Sequence, residues 1–382
     1  MEQDAGLPPS TDDTRSPSRL RTAREAAGYS LARMAALTHF SKPYLGLVET
    51  GRRSVTAELI ERYEQVLGVA IGTALDPVRI THEWLLGDTP ASLQLRAGRQ
   101  IGVSLVEALE TRVVELRHLD DTVSSSHMLP VITKELGAAN VLARDAAYSD
   151  AVGRRLFTAV GELAQLAGWV ASDAGQYVKA KQFYLSGVSA TETIGDRVLG
   201  AQLLSCLSYQ LANIGRRDDA MLIARSAVSG ATGATPVARA LLLERYAWAA
   251  ARLRDTAAAR RALDAADDAY ERRSDGIPEP EWVYWLNRAE IDVMAARCAI
   301  EVGAPARAEP LLTRALAGYA SEHIREVALY QTWLAESYAE TGDLDAARAT
   351  LGQAQAAAER ADSARLQRRV TAIANLIDRR AT

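Results

Sequence analysis

The sequence predicts an all-α protein in two parts, a small helical domain near the N-terminus and a long array of helical hairpins behind it. Three observations predict this. After Ser18 the chain is rich in Ala, Leu, Arg and Glu, and alternating β-branched runs are scarce, which favours helix over strand. Turn-forming residues cut the chain as far as Pro90 into short amphipathic pieces. Beyond that point one spacing of small residues returns at a nearly constant interval, as stacked helical units require.

Length and composition bound the answer. With 382 residues, 48% of them hydrophobic, the chain can form two or more units, each with its own core. No apolar run approaches the roughly 20 residues that span a bilayer, so no membrane segment is expected. Residues 1–17 are polar, acidic and Pro/Ser-bearing, and they lack the basic and apolar blocks of a signal peptide. A disordered tail on a cytoplasmic protein is expected there. Cys206 and Cys298 each sit in an apolar stretch without metal-type spacing and are expected to be buried free thiols. The net charge of −4 conceals an asymmetry. From Arg15 to Ile80 there are ten Lys/Arg against six Asp/Glu, whereas residues 1–14 carry −4 and residues 81–382 carry 34 positive against 38 negative charges. A basic block of small-domain size in an acidic chain is where a polyanion would bind.

Within that block Leu20 to Ala27 reads as a first helix, ended by Gly28. Ser30 can cap a second, whose inner face is expected to be Leu31, Met34, Ala35 and Leu37. Ser41 can cap a third, with Lys42 and Pro43 in its first turn, where proline is tolerated. Leu45 and Val48 point inward, which leaves Lys42, Pro43, Gly46 and Leu47 outward. Gly51, Arg52 and Arg53 make a basic turn before a fourth amphipathic helix, Thr56 to Leu67. A short helix tied by a tight turn to its predecessor, with a basic loop after it, suits the major groove of DNA.

Leu20, Arg24, Gly28, Ser30, Met34 and Ala35 open a pattern that Ser41, Leu45, Val48, Glu49, Gly51 and Leu67 complete. On these residues the block resembles the phage-repressor-like helix-turn-helix class, the Xre/Cro family. The resemblance implies that Ser41 to Val48 is a recognition helix, with Lys42, Pro43 and Leu47 facing base edges. Tyr44 and Arg52, with Arg53 beside it, are then phosphate-facing. Double-stranded DNA with a palindromic operator is the implied partner, bound by a homodimer held through helices after residue 96. Two positions depart from the family. Leu31 stands where Gln is frequent, and His39 replaces the usual turn Gly, so His39 must adopt a left-handed conformation or reshape the turn. Gly87 to Pro90 ends a short piece that contains Trp84. The domain is therefore expected over 18–86, a linker over 87–96 and the repeats over 97–382.

The repeat spacing is Gly-x-x-x-x-Ala, at Gly175/Ala180, Gly215/Ala220, Gly303/Ala308 and Gly342/Ala347, with a degenerate copy at Leu253/Ala258. The intervals are 40, 38, 50 and 39 residues, the long one holding a loop insertion from Ser274 to Pro280. Each Gly closes one helix and each Ala opens the packing face of the next. Lead-in helices are expected at about 97–118 and 127–146, and a capping helix from Ser363 to Arg380. Gly168, Gly175, Ala180 and Tyr184 in one unit make the array resemble tetratricopeptide repeats, as do Leu334, Ala335, Tyr338, Gly342, Ala347 and Leu351 in the last. The expected fold is thus a repressor-type helix-turn-helix domain followed by a tetratricopeptide-like α-solenoid. That architecture is similar to the peptide-sensing regulators of Gram-positive bacteria, and the Ala/Arg-rich composition fits an actinobacterial relative.

The family's concave positions, carried over from each repeat Gly, fall on Gln165 and Trp169, then on Gln202, Ser205, Tyr209 and Asn213. Further along they fall on Glu244, on Glu290 and Arg297, and on Trp333 and Glu336. The resemblance implies that these bind a short peptide or small-molecule effector, through amide hydrogen bonds and aromatic platforms. Trp248, Trp282 and Trp285 are expected in the core or in loop packing. There is no phosphate-binding Gly-rich loop, no HExxH and no Cys/His cluster, and the five histidines (His39, His82, His118, His127 and His323) are isolated. No enzyme, cofactor or metal site is expected. The expected function is a DNA-binding transcriptional regulator whose repeats dimerise and sense a ligand. The alternative is an adaptor whose repeats hold a protein partner, with DNA binding secondary.

Overall fold

The computed structural model describes residues 17–381 other than 54, 68–77, 79–80, 82–83, 85–99, 122, 320–323 and 362–363. The tail expected over 1–17, apart from Pro17, and the linker expected over 87–96 lie outside them. The described residues form seventeen α-helices and no strand, with one isolated parallel bridge between Gln100 and Ala147. Contacts divide the chain into two compact units, Met1–Asp76 and Pro77–Thr382.

The first unit holds α1 (Pro17–Ala26), α2 (Leu31–Thr38), α3 (Lys42–Glu49) and α4 (Ala57–Leu67). Leu20, Met34, Leu45, Val48, Leu59 and Tyr63 bury one face of each helix in a shared core. A buried ion pair locks three of the helices. The Arg24 guanidinium forks onto Glu49, with Nε and Nη2 donating at 2.8 and 2.7 Å, and the Tyr63 hydroxyl donates to the same carboxylate at 2.8 Å. Ser30 and Ser41 cap α2 and α3 by accepting from the backbone N–H of Arg33 and Tyr44. His39 takes the left-handed conformation between them, with φ +60°. The inner face of α2 differs from expectation at one position. Leu37 is exposed, and Thr38 is buried in its place with its hydroxyl donating to the Met34 carbonyl at 2.7 Å. The helical period explains this, because the stripe through Leu31 and Met34 continues to Thr38 and passes Leu37 by.

The second unit opens with α5 (Val103–Asp120) and α6 (Ser125–Asp145). Five hairpins follow: α7 (Asp150–Asp173) with α8 (Tyr177–Ile194), α9 (Arg197–Asn213) with α10 (Arg217–Gly230), and α11 (Pro236–Arg252) with α12 (Thr256–Glu271). The last two are α13 (Arg288–Glu301) with α14 (Ala308–Ala317), and α15 (Ile324–Thr341) with α16 (Leu344–Ala361), capped by α17 (Ala364–Ala381). Each hairpin packs its two helices on one another, and the first helix of each packs on the first helix of the next. This is a tetratricopeptide-like α-solenoid. Inside the first hairpin the approach is close enough to require glycine, since a Cβ on Gly168 would lie 2.3 Å from the Tyr184 ring.

The turns set the register of the repeat. Gly175, Gly215, Gly303 and Gly342 all have φ between +79° and +92°. In the remaining hairpin the left-handed residue is Arg254, with φ +60°, rather than Leu253. Its N–H donates to the Ala251 carbonyl and the next N–H to that of Ala250, repeating the pattern of Gly175 and Gln176 on Ser172 and Ala171. The degenerate copy is therefore Arg254/Ala259, one residue later than Leu253/Ala258.

Two further features bear on the site. Trp84, expected in the first domain, packs in the second unit: the Arg197 guanidinium lies over its ring and donates to its carbonyl, and a Cβ on Gly200 would meet its Nε1 at 2.5 Å. The insertion between α12 and α13 reaches back to the α5–α6 turn. The Tyr284 hydroxyl donates to Asp121 at 2.5 Å, and Glu281 lies 3.1 Å from His118 Nε2. It forms a strap joining the fourth hairpin to the lead-in helices.

Candidate functional site

In the first unit α3 presents Ser41, Lys42, Pro43 and Leu47 to solvent, and Arg52 and Arg53 are exposed just after it. Tyr44 is half-buried, stacked on Phe40 at 5.4 Å, with the Arg53 guanidinium 5.0 Å from its ring centre. The exposed residues form one face because Leu45, Val48 and Glu49 occupy the other, held by the core and by Arg24.

In the second unit the first helices α7, α9, α11, α13 and α15 jointly line a cavity of about 430 Å³, within the range of small-molecule sites. A second cavity of about 290 Å³ adjoins it and shares Trp169, Tyr209 and Arg297. The repeat register explains the lining. Six residues before the turn positions 175, 215, 254 and 303 stand Trp169, Tyr209, Trp248 and Arg297. These side chains stack in order: ring centres are 6.0 Å apart for Trp169 and Tyr209 and 6.4 Å for Tyr209 and Trp248, and the Arg297 guanidinium lies 4.3 Å from Trp248. Arg297 also donates to the Tyr209 hydroxyl at 2.8 Å. A ladder forms because stacked hairpins place equivalent positions one above another.

Of the sequence-derived residues, Gln165, Trp169, Gln202, Tyr209, Glu290 and Arg297 line the larger cavity, as does Glu244. Asn213 and Trp333 line the smaller one, where the Asn213 side-chain carbonyl accepts from Trp248 Nε1 at 3.1 Å. Two residues are set back from both cavities. Ser205 is buried and donates to Gln202, fixing its amide, and Glu336 pairs with Arg369, whose guanidinium lies 3.5 Å from the Trp333 ring centre. Sequence reasoning missed Arg117, Arg245, Tyr319 and Tyr330 and the strap residue Tyr284, all of which line the larger cavity with Trp282 and Trp285. For Arg245 a signal existed, because it interrupts the apolar run from Leu241 to Ala251, where a solvated arginine has no place.

Ionisable groups line the cavity in a largely buried setting. The Glu244 carboxyl has no hydrogen-bond partner on Oε1, and burial pushes its pKa up to about 8. Burial also raises Glu290, although the Tyr319 and Tyr330 hydroxyls both donate to its Oε1. Arg245 lies among rings, 4.1 Å from the centre of Tyr209 and 5.5 Å from that of Trp169. Arg117 is engaged by Gln165 and Glu162 at 2.9 and 3.0 Å. Cys206 and Cys298 are buried free thiols, both with pKa values raised by burial. Among the described residues no group of three or more His, Cys, Asp or Glu is placed to hold a metal ion. No helix among them is long and apolar enough to cross a membrane. These groups can hold charge and stack on rings.

Comparison with known families settles the first unit. Residues 18–76 match the family described as "Helix-turn-helix domain". This part of the chain is a helix-turn-helix domain. No curated protein matches the chain. Among solved structures, BtubC (BKLC) from P. vanneervenii is similar at 17% identity and a TM-score of 0.43, over 62% of this chain and 92% of that one. Bacillus thuringiensis PlcR, solved with the peptide PapR7 and DNA, is similar at 10% identity and 0.37, over 79% and 93%. Aspartyl phosphate phosphatase F from Bacillus subtilis is similar at 12% identity and 0.41, over 98% and 82%.

Proposed function

We propose that this chain is a cytoplasmic DNA-binding transcriptional regulator whose helical array binds a small molecule or short peptide that alters its affinity for DNA. The observation that carries the reading is α3: a capped helix in a helix-turn-helix domain, fixed from behind by the Arg24–Glu49 pair and open to solvent at Lys42, Pro43 and Leu47. Lys42 reaches a guanine edge or a phosphate, Leu47 a thymine methyl, and Arg52 and Arg53 the backbone. Such a face offers few bidentate donors, so specificity requires two copies on a palindromic operator. The homodimer is held by helices after residue 96. A ligand in the cavity lined by α7 to α15 shifts DNA affinity only by its differential affinity for two states of the protein, about 1.4 kcal/mol for a tenfold effect.

The test is the purified full-length chain with duplex DNA from upstream of its own gene and no other protein. Binding tighter than to a scrambled duplex is expected. Equal affinity for both overturns the regulator reading in favour of an adaptor whose array holds another protein.

A further inference from the structure

Four ionisable side chains of the larger cavity, Arg245, Arg297, Glu244 and Glu290, are not hydrogen-bonded to one another. Arg245 is 5% exposed; its guanidinium faces the rings of Tyr209, Trp169 and Trp285, and its Nε has no hydrogen-bond partner. Arg297, 6% exposed, donates to the Tyr209 hydroxyl, and its Nε is likewise unpartnered. On the acidic side Glu244 is 2% exposed with Oε1 unpartnered, and Glu290 receives the hydroxyls of Tyr319 and Tyr330.

A buried arginine near a buried glutamate gains most by forking onto it, as Arg24 does on Glu49 in the first unit. Arg252 and Glu301, beside the smaller cavity, also pair. In the larger cavity this pairing is withheld from two arginines and two glutamates at once. Keeping buried guanidinium and carboxyl groups unpaired costs stability, which a ligand carrying both complements would recover.

We infer that the larger cavity binds a zwitterion, an α-amino acid or a short peptide with free termini, its carboxylate on Arg245 and Arg297 and its ammonium on Glu244 and Glu290. The inference rests on the ligand-binding half of the proposed function and names its ligand. The volume of about 430 Å³ suits a single amino acid or a dipeptide, and the surrounding Trp and Tyr rings favour an aromatic side chain. Burial also pushes the Glu244 pKa up to about 8, outweighing the pull of Arg245 and Arg297, neither of which hydrogen-bonds to it.

The test is calorimetric titration of the full-length chain with phenylalanine, the dipeptide Phe-Phe, phenylalaninamide, which lacks the carboxylate, and N-acetylphenylalanine, which lacks the ammonium. At least one zwitterion is expected to bind, and each capped analogue at least about tenfold more weakly than phenylalanine or the dipeptide, whichever is tighter. Tighter binding of phenylalanine assigns a free amino acid, and tighter binding of Phe-Phe assigns peptide termini. In Arg245→Met the penalty for the amide should shrink while that for the N-acetyl compound persists, and in Glu244→Gln the reverse. Should either variant fail to fold, the four-ligand comparison on wild type decides alone. Equal binding of a capped analogue, or no binding of either zwitterion, overturns the inference. Operator binding without ligand, measured on the same preparation, separates the readings. If it is intact, a negative titration removes the zwitterion alone; if it is absent, the regulator reading fails whatever the titration shows.

Discussion

Arg297 and Tyr209 lie 88 residues apart, on α13 and α9, and the guanidinium Nη2 donates to the phenol oxygen at 2.8 Å inside the array. The bond spans the intervening hairpin and ties hairpins two and four together at the cavity wall. Tyr209→Phe leaves that donor without its acceptor in a buried place, which costs about 1–3 kcal/mol. The urea midpoint should fall with the slope unchanged. An unaltered midpoint would remove this bond from the forces holding the array.

Glu244 makes stability depend on pH in a defined direction. Its folded pKa of about 8 lies above the unfolded value of about 4.3. Between those values the folded chain holds a proton that the unfolded chain releases. The contribution is therefore full below pH ~4.3 and is lost as pH rises through about 8. Glu244→Gln should abolish this dependence, so its stability relative to wild type should climb between pH ~5 and ~9, by up to a few kcal/mol. A relative stability that stays flat across that range contradicts the assignment.

In the first unit Arg24 forks onto Glu49, which also receives Tyr63, and touches exposed Glu25 only at 3.4 Å. Glu49→Ala strands a buried guanidinium and should destabilise the helix-turn-helix domain by about 3–5 kcal/mol. Hydrogen exchange of the α3 and α4 amides reports this separately from the array. Protection unchanged from wild type would show the pair to be dispensable.

Much of the architecture was legible because it follows from local chemistry. Ser30 and Ser41 as caps and the Pro43 turn are each dictated by one or two residues, and the structure has them where the sequence places them; at His39, where the sequence left a left-handed residue or a reshaped turn, the chain takes the first. Four turn glycines were equally plain. Arg254 was not, because a non-glycine residue in the left-handed region leaves no mark in composition, and the register of that hairpin slipped by one residue. With the slip corrected, Trp248, a core residue as expected, also takes its place in the ladder with Trp169 and Tyr209. The strap was visible only as an insertion. That Tyr284 reaches Asp121, and that Tyr319 and Tyr330 converge on Glu290, depends on contacts between distant segments that no local pattern encodes. Ser205 and Glu336 stand at cavity positions of the repeat, yet one orients Gln202 and the other neutralises Arg369.

Arg52 is exposed beside α3, whereas Arg53 lies over the Tyr44 ring. Arg52→Ala should weaken binding to every duplex alike and lower the salt slope by about 1 unit. Arg53→Ala should do the same and also free Tyr44, so that α3 becomes less ordered. An unchanged slope in both variants would take these residues out of the phosphate contacts.

The most direct test of the central claim is a nuclease footprint of the full-length chain on DNA upstream of its own gene, repeated with the double variant Lys42→Ala, Leu47→Ala. Two protected half-sites about 10 bp apart, centre to centre, related by a dyad, are expected with wild-type protein and are expected to be lost in the variant. A footprint that survives the substitutions, or no protected segment with wild-type protein, would contradict the claim.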